Sequence, residues 1–143
     1  MSMNGCFIIV PQEHHEDFFN TTSHIEDLDY VDSCWVEQAW HILAVLTDQE
    51  SYIEGQAPHD FSASGTMLAL NLLDYAEYVE ELTPADIRSA LNKMDAAELE
   101  DIYWGSFMKN NEDFVVDSFE TLKGWLIEHK SKSQTSDLYL TVV

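Results

Sequence analysis

Two kinds of hydrophobic spacing alternate along the chain, separated by polar, turn-forming stretches. Gly5 to Val10 (GCFIIV) is a continuous apolar block stopped by Pro11, which predicts a buried strand; Asp137 to Val143 (DLYLTVV) alternates and is rich in β-formers, which predicts a closing strand paired with the first. Gln12 to Asn20 places Phe18 and Phe19 behind a polar EHHED stretch, as in a short first helix. Ile25, Leu28 and Val31 stand three apart, in either a helical stripe or an extended acidic loop. Ser33 offers an N-cap, and Trp35, Val36, Ala39, Trp40, Leu43 and Leu46 then recur at three- and four-residue spacing, predicting a helix from Ser33 onward. Asp48 to Gly65 reads as a long surface loop or short helical turns. The apolar octad Thr66 to Leu73 fits either period and is read as helix. Thr83-Pro84-Ala85-Asp86 and Asp95-Ala96-Ala97-Glu98 are capping signatures that start helices running to about Leu91 and about Tyr103. Glu112 to Lys130 carries Phe114, Val115, Phe119, Leu122 and Leu126 as one stripe, with Trp125 beside it. The expected architecture is α+β: a single domain over residues 1–143, its small sheet pairing the N- and C-terminal strands and packed against several α-helices.

Charge changes the picture from fold to partner. The 143 residues hold 27 acids against 6 bases, a formal net charge of −21, while 45% hydrophobic content supplies a core and separates the chain from acidic disordered tails. Every Lys and Arg lies at or after Arg88, so residues 1–87 carry all their carboxylates without a compensating cation. Such a field repels phosphate and anionic lipid, which argues against nucleic acid and membrane as partners and for a basic protein. The alternative is general acidity that serves solubility or a high-salt cytoplasm. Glu26, Asp27, Asp29, Asp32, Glu50 and Glu54 are the acidic residues expected to contribute to partner binding. Cys6 and Cys34 lack metal or redox spacing and read as buried free thiols. No run is long enough for a membrane span and no basic leader precedes the first apolar block, so a cytoplasmic location is expected.

Catalytic signals are sparse. His14 and His15 stand among Glu13, Glu16 and Asp17, but neighbouring helical positions point about 100° apart and do not converge on one ion. His41 follows Trp40 and reads as a core-edge residue. His59, Asp60, Ser62 and Ser64 have hydrolase residue types without a nucleophile motif, and there is no glycine-rich phosphate loop. No metal, cofactor or catalytic residue is therefore assigned. Tyr103 and Trp104, before Gly105 and flanked by Glu100 and Asp101, have hot-spot chemistry for an arginine-bearing partner if one ring is exposed; a hydrophobic helix-end contact is the competing reading.

Met1, Met3, Gly5 and Phe7 at the start, the segment VEQAWHILAVLTD, the LTPADI helix start, the IYW segment and the final LTVV together resemble the bacterial family of unknown function typified by YfbM. The resemblance covers most of the chain and implies an α+β fold with the terminal strands in one sheet beneath several helices. Gln38, Asp48 and Trp104 depart from the family pattern of Lys, Gly and Pro, and no catalytic residue comes with the resemblance. The leading expectation is a non-enzymatic immunity protein that neutralises a basic toxin, one that can itself target nucleic acid. Two alternatives are a YfbM-like housekeeping protein with a small-ligand or hydrolytic site in the central loop, and an acidic nucleic-acid mimic.

Overall fold

The computed structural model describes residues 4–20, 28–53 and 67–142. The first and last strands are the middle of its sheet. Strands β1 (Gly5–Pro11), β2 (Asp32–Glu37), β3 (Met67–Leu70) and β4 (Ser136–Val142) lie in the order β2-β1-β4-β3, all antiparallel, and β1 runs against β4 from Gly5↔Val142 to Pro11↔Ser136. The expected pairing of the terminal strands is therefore present, in an α+β architecture.

Strand β1 is apolar without interruption because both of its faces are covered. Phe7 and Ile9 join Cys34, Val36, Leu68, Leu70, Leu138 and Leu140 in the main core. Cys6, Ile8 and Val10 join Tyr139 on the opposite face, beneath Phe18 of helix α1 (His15–Asn20) with Leu28, Tyr30 and Val31 around them. Both cysteines are buried, and burial raises the Cys34 thiol from 9.0 to about 11.

Among the described residues six further α-helices cover the main-core face or connect its parts: α2 (Trp40–Leu46), α3 (Leu72–Glu81), α4 (Pro84–Lys93), α5 (Ala96–Glu100), α6 (Gly105–Lys109) and α7 (Glu112–His129). Trp40, Tyr75, Ile87, Leu91, Phe119, Leu122 and Leu126 point into one core without exposed surface beyond 1%. Trp40 passes so close to the start of β1 that a Cβ on Gly5 would overlap its side chain, which explains the glycine at the Gly5/Cys6 bulge. Both capping signatures fold as expected. Thr83 and Asp86 cap each other, as do Asp95 and Glu98, and the Thr83 backbone N–H and hydroxyl hold the Asp86 carboxyl below its ordinary pKa.

The helix expected from Ser33 is a correction. Residues 32–37 are strand β2, with Ser33, Trp35 and Glu37 outward and Cys34 and Val36 buried; the chain turns at Glu37, whose φ is 49°, and helix begins only at Trp40. The octad at Thr66 is likewise two elements. Met67–Leu70 pairs with β4, and Asn71 then caps α3 by accepting the Asp74 backbone N–H at 3.0 Å. Helix α5 stops at Glu100, short of Tyr103, and α6 comes after it as a separate helix. Phe114 is exposed and Val116 takes the buried place in α7, because the stripe runs Val115, Val116, Phe119, Leu122, Leu126. The segment Ile25 to Asp32, read as either a helical stripe or an extended acidic loop, lies partly outside the described residues; within its described part Asp29 and Tyr30 form a turn and there is no helix.

Candidate partner-binding surface

Helix α2 turns Trp40, Ile42 and Leu43 inward, which leaves His41, Val45 and, past its end, Asp48 on the outer side at spacings of four and three. Asp48 adopts the left-handed conformation (φ 48°), tolerable for a short polar side chain, and accepts a hydrogen bond from the Ser51 hydroxyl at 2.9 Å. The chain thereby reverses into a 3-10 turn, Gln49–Tyr52, that brings Glu50 back beside His41. The result is a cavity of about 190 Å³ lined by His41, Ala44, Val45, Asp48 and Glu50.

The Tyr103 backbone N–H donates to His41 Nδ1 at 2.9 Å, so the neutral imidazole carries its proton on Nε2. This bond ties the α5–α6 turn to α2. Within that turn Tyr103 lies over Trp40 with ring centroids 5.9 Å apart, and Trp104, in the left-handed region at φ 56°, is 42% exposed and meets Phe107 edge-on at 5.0 Å. The next residue is glycine because a Cβ on Gly105 would strike the Leu99 carbonyl. Glu100 and Asp101 are exposed beside these rings.

A second acidic stretch adjoins the first at Tyr52. Tyr52 and Tyr78 have ring centroids 5.3 Å apart, and with Asp74, Glu77, Glu80, Glu81 and Lys130 they line a groove of about 620 Å³. Desolvation raises the Tyr52 pKa, and Tyr78, Asp48 and Asp74 raise it further, so the fields of both stretches converge on this phenol.

Cations are used inside the fold. Lys109 and Lys123 donate to the Met94 and Leu82 carbonyls that close α4 and α3. Arg88 holds Glu112 at 2.9 Å and Asp113 at 3.0 Å, Lys130 holds Glu80 at 2.8 Å, and Lys132 holds Asp32 at 2.9 Å. Among the described residues no other carboxylate is paired with a Lys or Arg.

The residues singled out in the sequence divide accordingly. Glu50 borders the His41 cavity, and the turn carrying Tyr103 and Trp104 is tied to it through the His41 bond. Asp29 is exposed in the turn before β2, and Asp32 is engaged by Lys132 with His129 Nε2 at 3.6 Å. Asp32 also lies far from Glu50's turn. Asp32, Ile9, Leu138, Leu70 and Ile53 occupy one rung, four steps wide or about 19 Å at the usual strand spacing. Glu26, Asp27 and Glu54, with His59, Asp60, Ser62 and Ser64, lie outside the described residues. Of the histidine pair, His14 stacks on Tyr30 at 4.4 Å while His15 meets Asp137 at 2.8 Å, so the two point to different neighbours. The α3 acids are absent from the set expected from sequence, although Asp74, Glu77 and Glu81 already stand three and four apart on one helix face.

Among the described residues no helix is long and apolar enough to cross a membrane. No protein-family model, curated protein or solved structure matches the chain.

Proposed function

We propose that the protein acts by binding a basic protein partner, as an immunity protein that covers the active surface of a cationic toxin. The observation that carries this reading is the acidic surface from Glu50 and Asp48 through Tyr52 to Asp74, Glu77 and Glu81, where the one base lining the groove, Lys130, is bonded to Glu80, and Arg88, Lys109, Lys123 and Lys132 are engaged by helix ends and other carboxylates. Such a field accelerates encounter with a cationic surface, and exposed Trp104 and Phe107 offer rings on which guanidinium groups stack. A toxin with a phosphate-binding cleft is the chemistry best matched, since carboxylates compete for the same cations. The test is co-expression with the product of the gene immediately upstream: growth arrest by that product alone, relieved by this chain and not by its Asp74→Lys, Glu77→Lys, Glu81→Lys variant, is expected. Relief that survives the triple reversal would set this surface aside.

A second reading, a small-ligand or hydrolytic site of the kind the YfbM resemblance allowed, has one observation in its favour. His41 is held in a single tautomer beside the Asp48 and Glu50 carboxylates in a cavity of about 190 Å³. His41→Asn keeps an acceptor for the Tyr103 N–H and removes the titratable ring. Unchanged protection by this variant fits the binding role, and lost protection with binding retained would move chemistry to first place.

A further inference from the structure

Among the described residues one edge of the sheet has no strand beside it, in a way that complements the acidic surface. Among the described residues β2 pairs only with β1, so along its six residues the backbone N–H and C=O groups directed away from β1 have no strand beside them. The first turns of α7 stand alongside, and between the two elements lies a groove of about 170 Å³ lined by Trp35, Val36 and Glu37 of β2 and Phe114, Asp117, Ser118 and Thr121 of α7. Trp35 and Phe114 are 40% and 38% exposed, large rings left on the two banks. Of the guards common at sheet edges, Ser33 to Val36 carry no lysine, proline or inward charge; the register irregularity opposite Gly5/Cys6 lies at the Glu37 end of the strand.

We propose that this groove receives an extended segment of the cationic partner, added beside β2 as a fifth strand. Strand addition supplies affinity through main-chain hydrogen bonds and selects through alternate side chains. Here an apolar side chain would lie between Trp35 and Phe114, and a Lys or Arg two positions along would reach Glu37 and Asp117. Neither carboxylate is paired with a Lys or Arg among the described residues, and no base lines the groove. The acid at the other end of the strand, Asp32, is already held by Lys132, so the open charge is concentrated at the Glu37 end. A second copy of the chain is disfavoured as the occupant. Two β2 strands paired antiparallel about Cys34 and Trp35 would set Asp32 of each against Glu37 of the other, between two chains of charge −21. The inference rests on the reading of the protein as a binder of basic partners and adds where and how a segment of such a partner docks.

The probe is the capped heptapeptide Thr-Lys-Thr-Leu-Thr-Arg-Thr, whose leucine has a cation two positions to either side on the same strand face, titrated into isotope-labelled protein beside a copy N-methylated at alternate residues that keeps the charge and loses the strand hydrogen bonds. Chemical shifts should move along residues 32–37 and 114–121, and outward β2 amides should become protected from exchange. Trp35→Ala and the pair Glu37→Lys, Asp117→Lys should each weaken binding about tenfold or more, as should N-methylation. Binding with equal affinity by both peptides, with shifts at Asp74, Glu77 and Glu81 instead, would overturn the groove while leaving the cationic-partner reading standing. No binding by either peptide would count against both. Outward β2 amides already protected in the free monomer, or protected only as a dimer forms, would overturn the proposal in favour of the chain's own residues or a second copy as the occupant.

Discussion

The Tyr75–Thr47 pair beneath the acidic surface offers a prediction whose size comes from counting hydrogen-bond donors and acceptors. Both residues are fully buried, their oxygens are 2.7 Å apart, and the Thr47 hydroxyl also lies 2.6 Å from the Leu43 carbonyl. Thr47 has one proton and directs it to Leu43, so Tyr75 is the donor to Thr47; burial raises the phenol pKa and keeps that proton in place. Tyr75→Phe therefore removes one bond and leaves no orphan, because Thr47 still donates, and should cost about 1 kcal/mol. Thr47→Val is the worse change. The Leu43 carbonyl keeps the Thr47 backbone N–H at 2.9 Å, but the Tyr75 hydroxyl is stranded, at a cost of about 2–3 kcal/mol. The double variant has nothing left to strand and should cost no more than Thr47→Val alone, a coupling of about 1 kcal/mol or more. Urea unfolding monitored by circular dichroism, with m-values checked for constancy, measures all four corners, and each kcal/mol should move Tm by about 3–4 °C. Additivity to within about 0.3 kcal/mol, or Tyr75→Phe costing more than Thr47→Val, would refute the assignment of donor and acceptor.

Three further outcomes are expected. Gly5→Ala should cost about 2–3 kcal/mol and alter the near-ultraviolet signal of Trp40, since the added methyl meets that side chain and the bulge at once; a melting point within a degree of the parent would contradict the close approach. Removing residues 136–142 should abolish cooperative melting, because β4 lies between β1 and β3 and its loss leaves both without their shared partner. Folded protein should hold the Cys34 proton up to about pH 11 while the unfolded chain releases it near 9.0, so this contribution to stability is intact below pH 9.0 and lost across that interval. Cys34→Ala should flatten the alkaline fall in Tm, and an unchanged slope would show that the thiol is not shielded.

Legibility in the sequence tracks the strength of local chemistry. The two capping boxes, the long α7 stripe and the terminal strands are all readable, because each is written in a motif or period that tertiary contacts reinforce. Ser33 to Leu46 misleads since Trp35, Val36, Ala39, Trp40 and Leu43 satisfy a helical period while Cys34 and Val36 also satisfy a strand's alternation. The break falls at Glu37 with positive φ, where neither glycine nor proline marks a turn. In the octad at Thr66 the clue is Asn71, a side chain suited to capping in the middle of an apolar run. Of the surface, Trp104's exposure is legible from its place before Gly105 and close to acids. The junction of Glu50 with Tyr103 through His41 spans 62 positions between His41 and Tyr103 and leaves no local trace.

The central claim, that a strongly acidic surface captures a basic partner, is tested most directly by the association rate constant with the upstream gene product, measured by stopped flow as ionic strength rises. A steered encounter should slow at least tenfold between about 25 mM and 500 mM salt, and Asp74→Lys, Glu77→Lys, Glu81→Lys should lower both the rate and its salt slope while leaving the fold intact. A rate insensitive to salt, or a triple variant that associates as fast as the parent, would contradict it.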